Sequence, residues 1–155
     1  MVAEQDAGQL VRFEAKPFTD AIARHQIPVS FGDVVPDAAW GSSILSADTI
    51  AVALVRALPV HRVVFVSDVV GVYEPGSTGR PRVIPTLDDG VLERLTPSTS
   101  GPDVTGGIRG KVAAMLAIAG AGADAALISG LSGGALSRVL RGETVHGSWS
   151  KAVPR

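Results

Sequence analysis

The stretch "DVTGGIRGKVAAM", residues 103–115, brings together groups that could hold an anion. Gly106 and Gly107 carry no Cβ, so a ligand can approach their backbone N–H groups closely. An apolar, helix-like run follows. A helix that opens here offers free N–H groups and the positive end of its dipole to negative charge. Lys111 lies about one turn in, and helical side chains lean toward the N-terminus, so its ammonium reaches back over the same anion. These features converge on one negatively charged group, most economically a phosphate. A glycine-started helix with a solvated lysine has the same letters. The Walker pattern itself fails, because Thr105 replaces its first glycine and Val112 its Mg²⁺-binding hydroxyl.

Carboxylates recur at the ends of elements. Asp68 closes "RVVFVSD", and ligands of open α/β sheets gather at the carboxyl ends of strands. Gly71 then allows a tight turn, and Tyr73 offers an aromatic face or a hydroxyl. Asp33 in "FGD" repeats the strand-end pattern, and Asp48 in "LSAD" stands at a helix start. Together they suit lysine orientation or Mg²⁺; singly, each reads equally as a cap. His25, His61 and His146 are scattered, with no metal-ligand spacing and no Ser/His/Asp arrangement. Arg80, Arg82, Arg138 and Arg141 read as solvated positions, and Trp40 and Trp149 as packing residues in loop-like contexts. "GAGADA" at 120–125 fits a dinucleotide fingerprint by letter but precedes a strand instead of leaving one, so it reads as a helix C-cap and turn.

The elements that must position these groups alternate between helix and strand. Residues 17–26 read as a helix, 27–33 as a short strand stopping at Gly-Asp, and 34–45 as a hairpin turning at Pro36-Asp37. A helix at 46–58 can be capped by Ser46 or Asp48, with Ile50, Ala53, Leu54 and Leu58 as its stripe. Residues 62–68 are apolar on both faces and predict a central strand. Residues 69–90 are loop-rich. A short helix and a polar loop fill 91–105, and a helix follows at about 107–119. A strand at 124–128, a helix at 132–142 and a closing strand in "ETVHGS" complete the chain. The pattern predicts an α/β fold with a largely parallel sheet, as one domain.

Composition supports that reading. Hydrophobic residues make up 46% and aromatics 5%, so Val, Ala and Leu fill the interior. The net charge of −1 argues against nucleic acid as a bulk electrostatic partner. The absence of cysteine excludes disulfides and thiolate metal sites. The first residues carry charges where a signal peptide needs an apolar core, and the greasiest stretch, 112–131, contains Asp124 and three glycines. No membrane association is expected, and the default compartment is cytoplasmic.

Taken in order, "IPVSFGDVVPD", "GSSILSADTIAVAL", "RVVFVSDVVGVY", "VTGGIRGKVAAML" and "ALISGLSGGALSRVLRGETVHGS" resemble the amino acid kinase superfamily, and within it the isopentenyl phosphate kinase branch. The resemblance runs from about residue 17 to 148. It implies a three-layer αβα sandwich and transfer of phosphate from ATP, with Mg²⁺, to isopentenyl phosphate. It implies that Gly106, Gly107 and Lys111 contact ATP phosphates, and that Asp68, Gly71 and Tyr73 border the nucleotide pocket. Asp48 matches an aspartate that orients catalytic lysines, and Ser46 and Ala47 would line the acceptor phosphate. Residues 17–60 would end an acceptor-side lobe, and 61–150 would form the ATP-binding lobe.

Departures accompany the likeness. Ala47 and Val70 stand where the branch usually has Gly and Asp, and Ile108 where it has Met. The family's first strand, its Gly-Gly-Ser loop with a phosphate-contacting lysine, and a second glycine-rich segment with a histidine find no match here. The chain therefore reads as the C-terminal, nucleotide-binding part of a kinase. The resemblance implies a homodimer, or a split enzyme whose N-terminal half is separate. Sister kinases of fosfomycin, glutamate or acetylglutamate are the enzyme alternative; a nucleotide-binding module or decayed remnant is the non-enzyme one.

Overall fold

A computed structural model of the chain describes residues 2–75, 81–95 and 107–153. The chain divides into two compact units, Met1–Pro59 and Val60–Arg155.

The first unit opens with a hairpin of β1 (Ala3–Asp6) and β2 (Gln9–Phe13). Its two-residue turn, Ala7–Gly8, has positive φ at both positions, as a type I′ turn requires. Ala7 is an unusual choice there, which is why the residue pattern does not announce this hairpin. Helix α1 (Lys16–Ala23) follows, with proline in its first turn. Strands β3 (Asp33–Asp37) and β4 (Gly41–Leu45) form the expected hairpin, but its turn falls at 38–40 and not at Pro36-Asp37, which end β3: the Asp37 carboxylate accepts from the Ala39 and Trp40 amides, and Gly41 takes the positive φ that closes the turn. The four strands are ordered β2-β1-β3-β4, with β1 parallel to β3 and the other pairs antiparallel. Helix α2 (Ala47–Ala57) completes the unit. Ala3, Phe18, Val35, Leu45 and Ile50 form its core.

The strand expected at 27–33 does not form. Pro28 lacks an amide donor, and a strand needs a ladder partner, which this run lacks among the described residues. Ile27 and Val29 are 90% and 88% exposed. Asp33 consequently begins β3 instead of ending a strand.

The second unit is a three-layer α/β/α arrangement. Strands β5 (Arg62–Ser67), β6 (Asp124–Ser129) and β7 (Ser148–Ser150) are ordered β5-β6-β7. β5 and β6 are parallel over six residue pairs, and β7 is antiparallel to β6. The central strand is therefore β6, whose Ala125–Ile128 run is wholly buried, and not β5 as its apolar sequence predicts. β5 lies at the sheet edge among the described residues, with Val66 half exposed. Two-residue alternation sends Val64, Ala126 and Ile128 to one face, against Ala135 and Val139 of α5 (Ala135–Leu140). Phe65, Ala125 and Leu127 face the other way, toward α4 (Gly107–Gly120), whose buried residues are Val112, Met115, Ile118 and Ala119. Short α3 (Asp89–Arg94) is capped by Asp88, which accepts from the Val91 amide.

The segment after β5 is ordered by backbone pairing. Tyr73 bridges Val83, and the Leu87 and Trp149 amides tie residues 85–87 to β7. The closing strand lies at 148–150 and shares only Ser148 with "ETVHGS", because this register pairs Ser148 with Leu127. "GAGADA" is a helix end and turn, with Gly122 at φ +95° and the Ala123 amide donating to the Ile118 carbonyl. No helix among the described residues is long and apolar enough to cross a membrane.

Candidate functional site

Three residues join the end of α4 to the start of β6. Helix and strand pack together, so α4 runs back against the parallel strands, and its N-terminus lies at their carboxyl ends. Ligands of parallel sheets gather at that end. Gly107, Lys111, Ser67, Asp68, Ser129 and Gly130 belong to it.

Gly107 opens α4 with φ +49°, a left-handed conformation that a side chain would strain. Gly106 lies outside the described residues. Lys111 is half buried, and its Nζ stands 4.9 Å from the centroid of the Phe65 ring. Phe65 is almost fully buried on the α4 face of β5. Asp68 is exposed just past β5, where its carboxylate accepts from the Ser67 hydroxyl at 3.0 Å. The Gly130 amide donates to the Ser67 carbonyl at 2.7 Å, which ties the ends of β5 and β6 together. A Cβ on Gly130 would come 2.8 Å from Val66 Cγ1, so a side chain there would require Val66 to shift.

Gly71 and Tyr73 enter through a different requirement. A Cβ on Gly71 would meet Ser148 Oγ at 2.6 Å and Val83 Cγ1 at 2.8 Å. Tyr73 is half buried and pairs with Val83. The glycine thus permits close packing as well as a turn.

Ser46, Ala47 and Asp48 lie together at the start of α2, in the first unit. Ser46 is the N-cap, and its Oγ accepts from the Thr49 amide at 3.1 Å. Asp48 is half buried in the first turn, where the helix dipole favours negative charge. Ala47 is exposed.

The strongest electrostatic centre of the first unit is Asp37, which the residue pattern marks only as a turn. It is 3% exposed and accepts from the amides of Ala7, Gly8, Ala39 and Trp40 and from the Ser43 hydroxyl. Burial raises its pKa, but the hydrogen bonds from Ser43, Gly8, Trp40 and Ala39 outweigh that and hold it at about 2. In the second unit, burial likewise pushes the Asp124 carboxyl up, while the Ala152 amide, Lys151 and Arg62 bring it below its ordinary value. Arg62 and Lys151 both lie over the Trp149 ring, at 5.5 and 4.8 Å from its centroid. Trp149 is therefore a packing residue, in a strand and not a loop. Arg138 and Arg141 are exposed and pair with Glu143, and the three histidines are exposed. Arg80 lies outside the described residues.

Sequence reasoning missed Phe65, Asp37 and Ser148. Phe65 reads as one more apolar residue in a strand, and only the helix packed on it reveals the lysine above its ring. Among the described residues, no group of three or more His, Asp or Glu side chains gathers as a metal-ligand set.

Residues 2–129 match the amino acid kinase family. Isopentenyl phosphate kinase of Methanothermobacter thermautotrophicus is 32% identical over 149 residues, which cover 92% of this chain and 55% of that protein. Acetylglutamate kinase of Mycobacterium marinum is 33% identical over 90 residues, covering 58% of this chain and 30% of that protein. A solved isopentenyl phosphate kinase structure superposes with a TM-score of 0.76 at 24% identity, covering 96% of this chain and 55% of that one. The chain spans about half the length of these isopentenyl phosphate kinases.

Proposed function

The chain belongs to the amino acid kinase family, and from that premise we propose that it is the nucleotide-binding part of an ATP-dependent isopentenyl phosphate kinase. In this reading a terminal phosphate oxygen of isopentenyl phosphate attacks the γ-phosphorus of ATP. The bond to the β,γ-bridging oxygen breaks, and isopentenyl diphosphate and ADP leave. The observation that carries the reading is Lys111, one turn into a helix opened by Gly107 at the carboxyl ends of parallel strands.

Phosphoryl transfer between two anions is catalysed mainly by positioning and charge neutralisation. Lys111 offsets charge on the β- and γ-phosphates, and the amides of Gly106 and Gly107 cradle them. Asp68, Gly71 and Tyr73 border the nucleotide. Asp48 orients a catalytic lysine, and Ser46 and Ala47 line the acceptor phosphate. Residues 17–60 then belong to the acceptor-side lobe and 61–150 to the ATP-binding lobe. Mg²⁺ would arrive with ATP, held mostly by phosphates and water, and Asp68, just past the end of β5, would be the carboxylate at that strand end able to meet it. The remaining acceptor clamp comes from polypeptide outside the matched span, a separate N-terminal half or a homodimer partner. A cytoplasmic setting fits an ATP-dependent enzyme of small phosphates.

The acetylglutamate kinase likeness favours a second reading, the same transfer to an acyl-amino-acid carboxylate. Equilibrium dialysis of the chain against Mg·ATP, with Lys111→Ala beside it, tests nucleotide binding. Turnover with the matching half of the Methanothermobacter kinase added, offered isopentenyl phosphate and acetylglutamate in parallel, tests the acceptor. ATP binding indifferent to Lys111 overturns the site, and acetylglutamate as the preferred acceptor overturns the substrate.

A further inference from the structure

Phe65 lies on the α4 face of β5, and only 8% of it is exposed. The Lys111 ammonium stands over its ring, 4.9 Å from the centroid. An aromatic face carries partial negative charge and attracts a cation, more strongly where water is excluded. The ring has no acceptor atom, so this contact takes up none of the ammonium's N–H donors. It therefore fixes where the charge sits without consuming its hydrogen bonds. Strand geometry puts Asp68 about 10 Å further along the chain, at the end where α4 opens. The ring thus forms a floor, with the lysine lying on it beside the helix N-terminus.

We infer that Phe65 is a positioning residue for Lys111: its ring holds the ammonium at the carboxyl end of β5, ready for an incoming polyphosphate. The inference rests on the proposed role of Lys111. A lysine side chain is long and flexible, and holding one in place before the ligand arrives lowers the entropy cost of binding. Leu or Met at position 65 would fill much the same space but offer the ammonium no ring face. Tyr would keep the ring face. The effect on nucleotide affinity should therefore track the ring and not the bulk.

The test uses the whole chain and Mg·ATP. Phe65→Leu and Phe65→Met are expected to weaken binding about fivefold, and Phe65→Tyr to stay within about twofold of the parent. In a Lys111→Ala background, Phe65→Leu should cost no further affinity, whereas a merely structural role would show the same loss in both backgrounds. Nuclear magnetic resonance adds a readout that needs no nucleotide. The Lys111 ε-methylene protons should be shifted upfield by the ring current in the parent and lose that shift in Phe65→Leu and Phe65→Met. Parental affinity in both non-aromatic variants, or no upfield shift in the parent, overturns the inference. If binding depends on Lys111 but not on Phe65, only the positioning role falls. If the parent does not bind Mg·ATP, the nucleotide-site reading falls and takes this inference with it.

Discussion

The hydroxyl of Ser148 accepts a hydrogen bond from the Val72 amide at 2.8 Å and donates one to the Ile84 carbonyl at 2.6 Å. One buried side chain thereby fastens the segment after β5 to β7. Ser148→Ala should leave both backbone groups without this partner in a dry site, at a cost of about 1–3 kcal/mol. Urea unfolding followed by Trp fluorescence would measure it, and an unchanged midpoint would show that the backbone groups find other partners.

Gly71 faces the same hydroxyl. Its substitution by Ala would force a Cβ to within 2.6 Å of Ser148 Oγ and 2.8 Å of Val83 Cγ1, so the loop must shift. The expected loss is about 1–3 kcal/mol, as for other overpacked sites. Because Gly71→Ala and Ser148→Ala act on one contact, the double variant should lose less than the sum of the two.

Asp37 predicts acid lability of the first unit. Its folded pKa, about 2, lies below the ordinary 3.8, so it contributes stability that is fully present above about pH 4. That contribution is lost as the pH falls from about 4 toward 2. The melting temperature of the parent should fall over that window. Asp37→Asn should be less stable at pH 7 and should lose less on acidification. A parallel acid profile for the two proteins would remove Asp37 as a source. Asp124, also depressed, accounts for part of any acid loss in the second unit.

Ser46→Ala removes the N-cap of α2 and should cost about 1 kcal/mol. Ser46→Asp restores an acceptor for the Thr49 amide and should recover most of that stability. The Asp variant also adds negative charge where the proposed acceptor phosphate sits. In the reconstituted enzyme its KM for isopentenyl phosphate should rise several-fold although the fold is restored. Parental KM in that variant would leave Ser46 a cap alone.

Elements whose signal is local can be read from the order of the residues alone. Period-3.6 stripes mark α1 and α2, an apolar run marks α4, and the turn residues Pro36-Asp37 announce the β3–β4 hairpin although its turn falls at 38–40. Apolar runs ending in polar residues mark β5 and β6, and the glycine pair before Lys111 marks a helix start suited to an anion. Tertiary structure alone decided what depends on partners distant in the chain. It made β6, not β5, the central strand, because both runs are apolar and only pairing distinguishes them. It formed no strand at 27–32, since alternating apolar residues make a strand only beside another strand. It joined Asp37 to amides some thirty residues away and Ser148 to Val72, seventy-six away. It also set Lys111 over Phe65. Helix and strand propensities are read within a few residues, whereas a hydrogen bond or a ring contact across the fold exists only once packing has brought its two ends together.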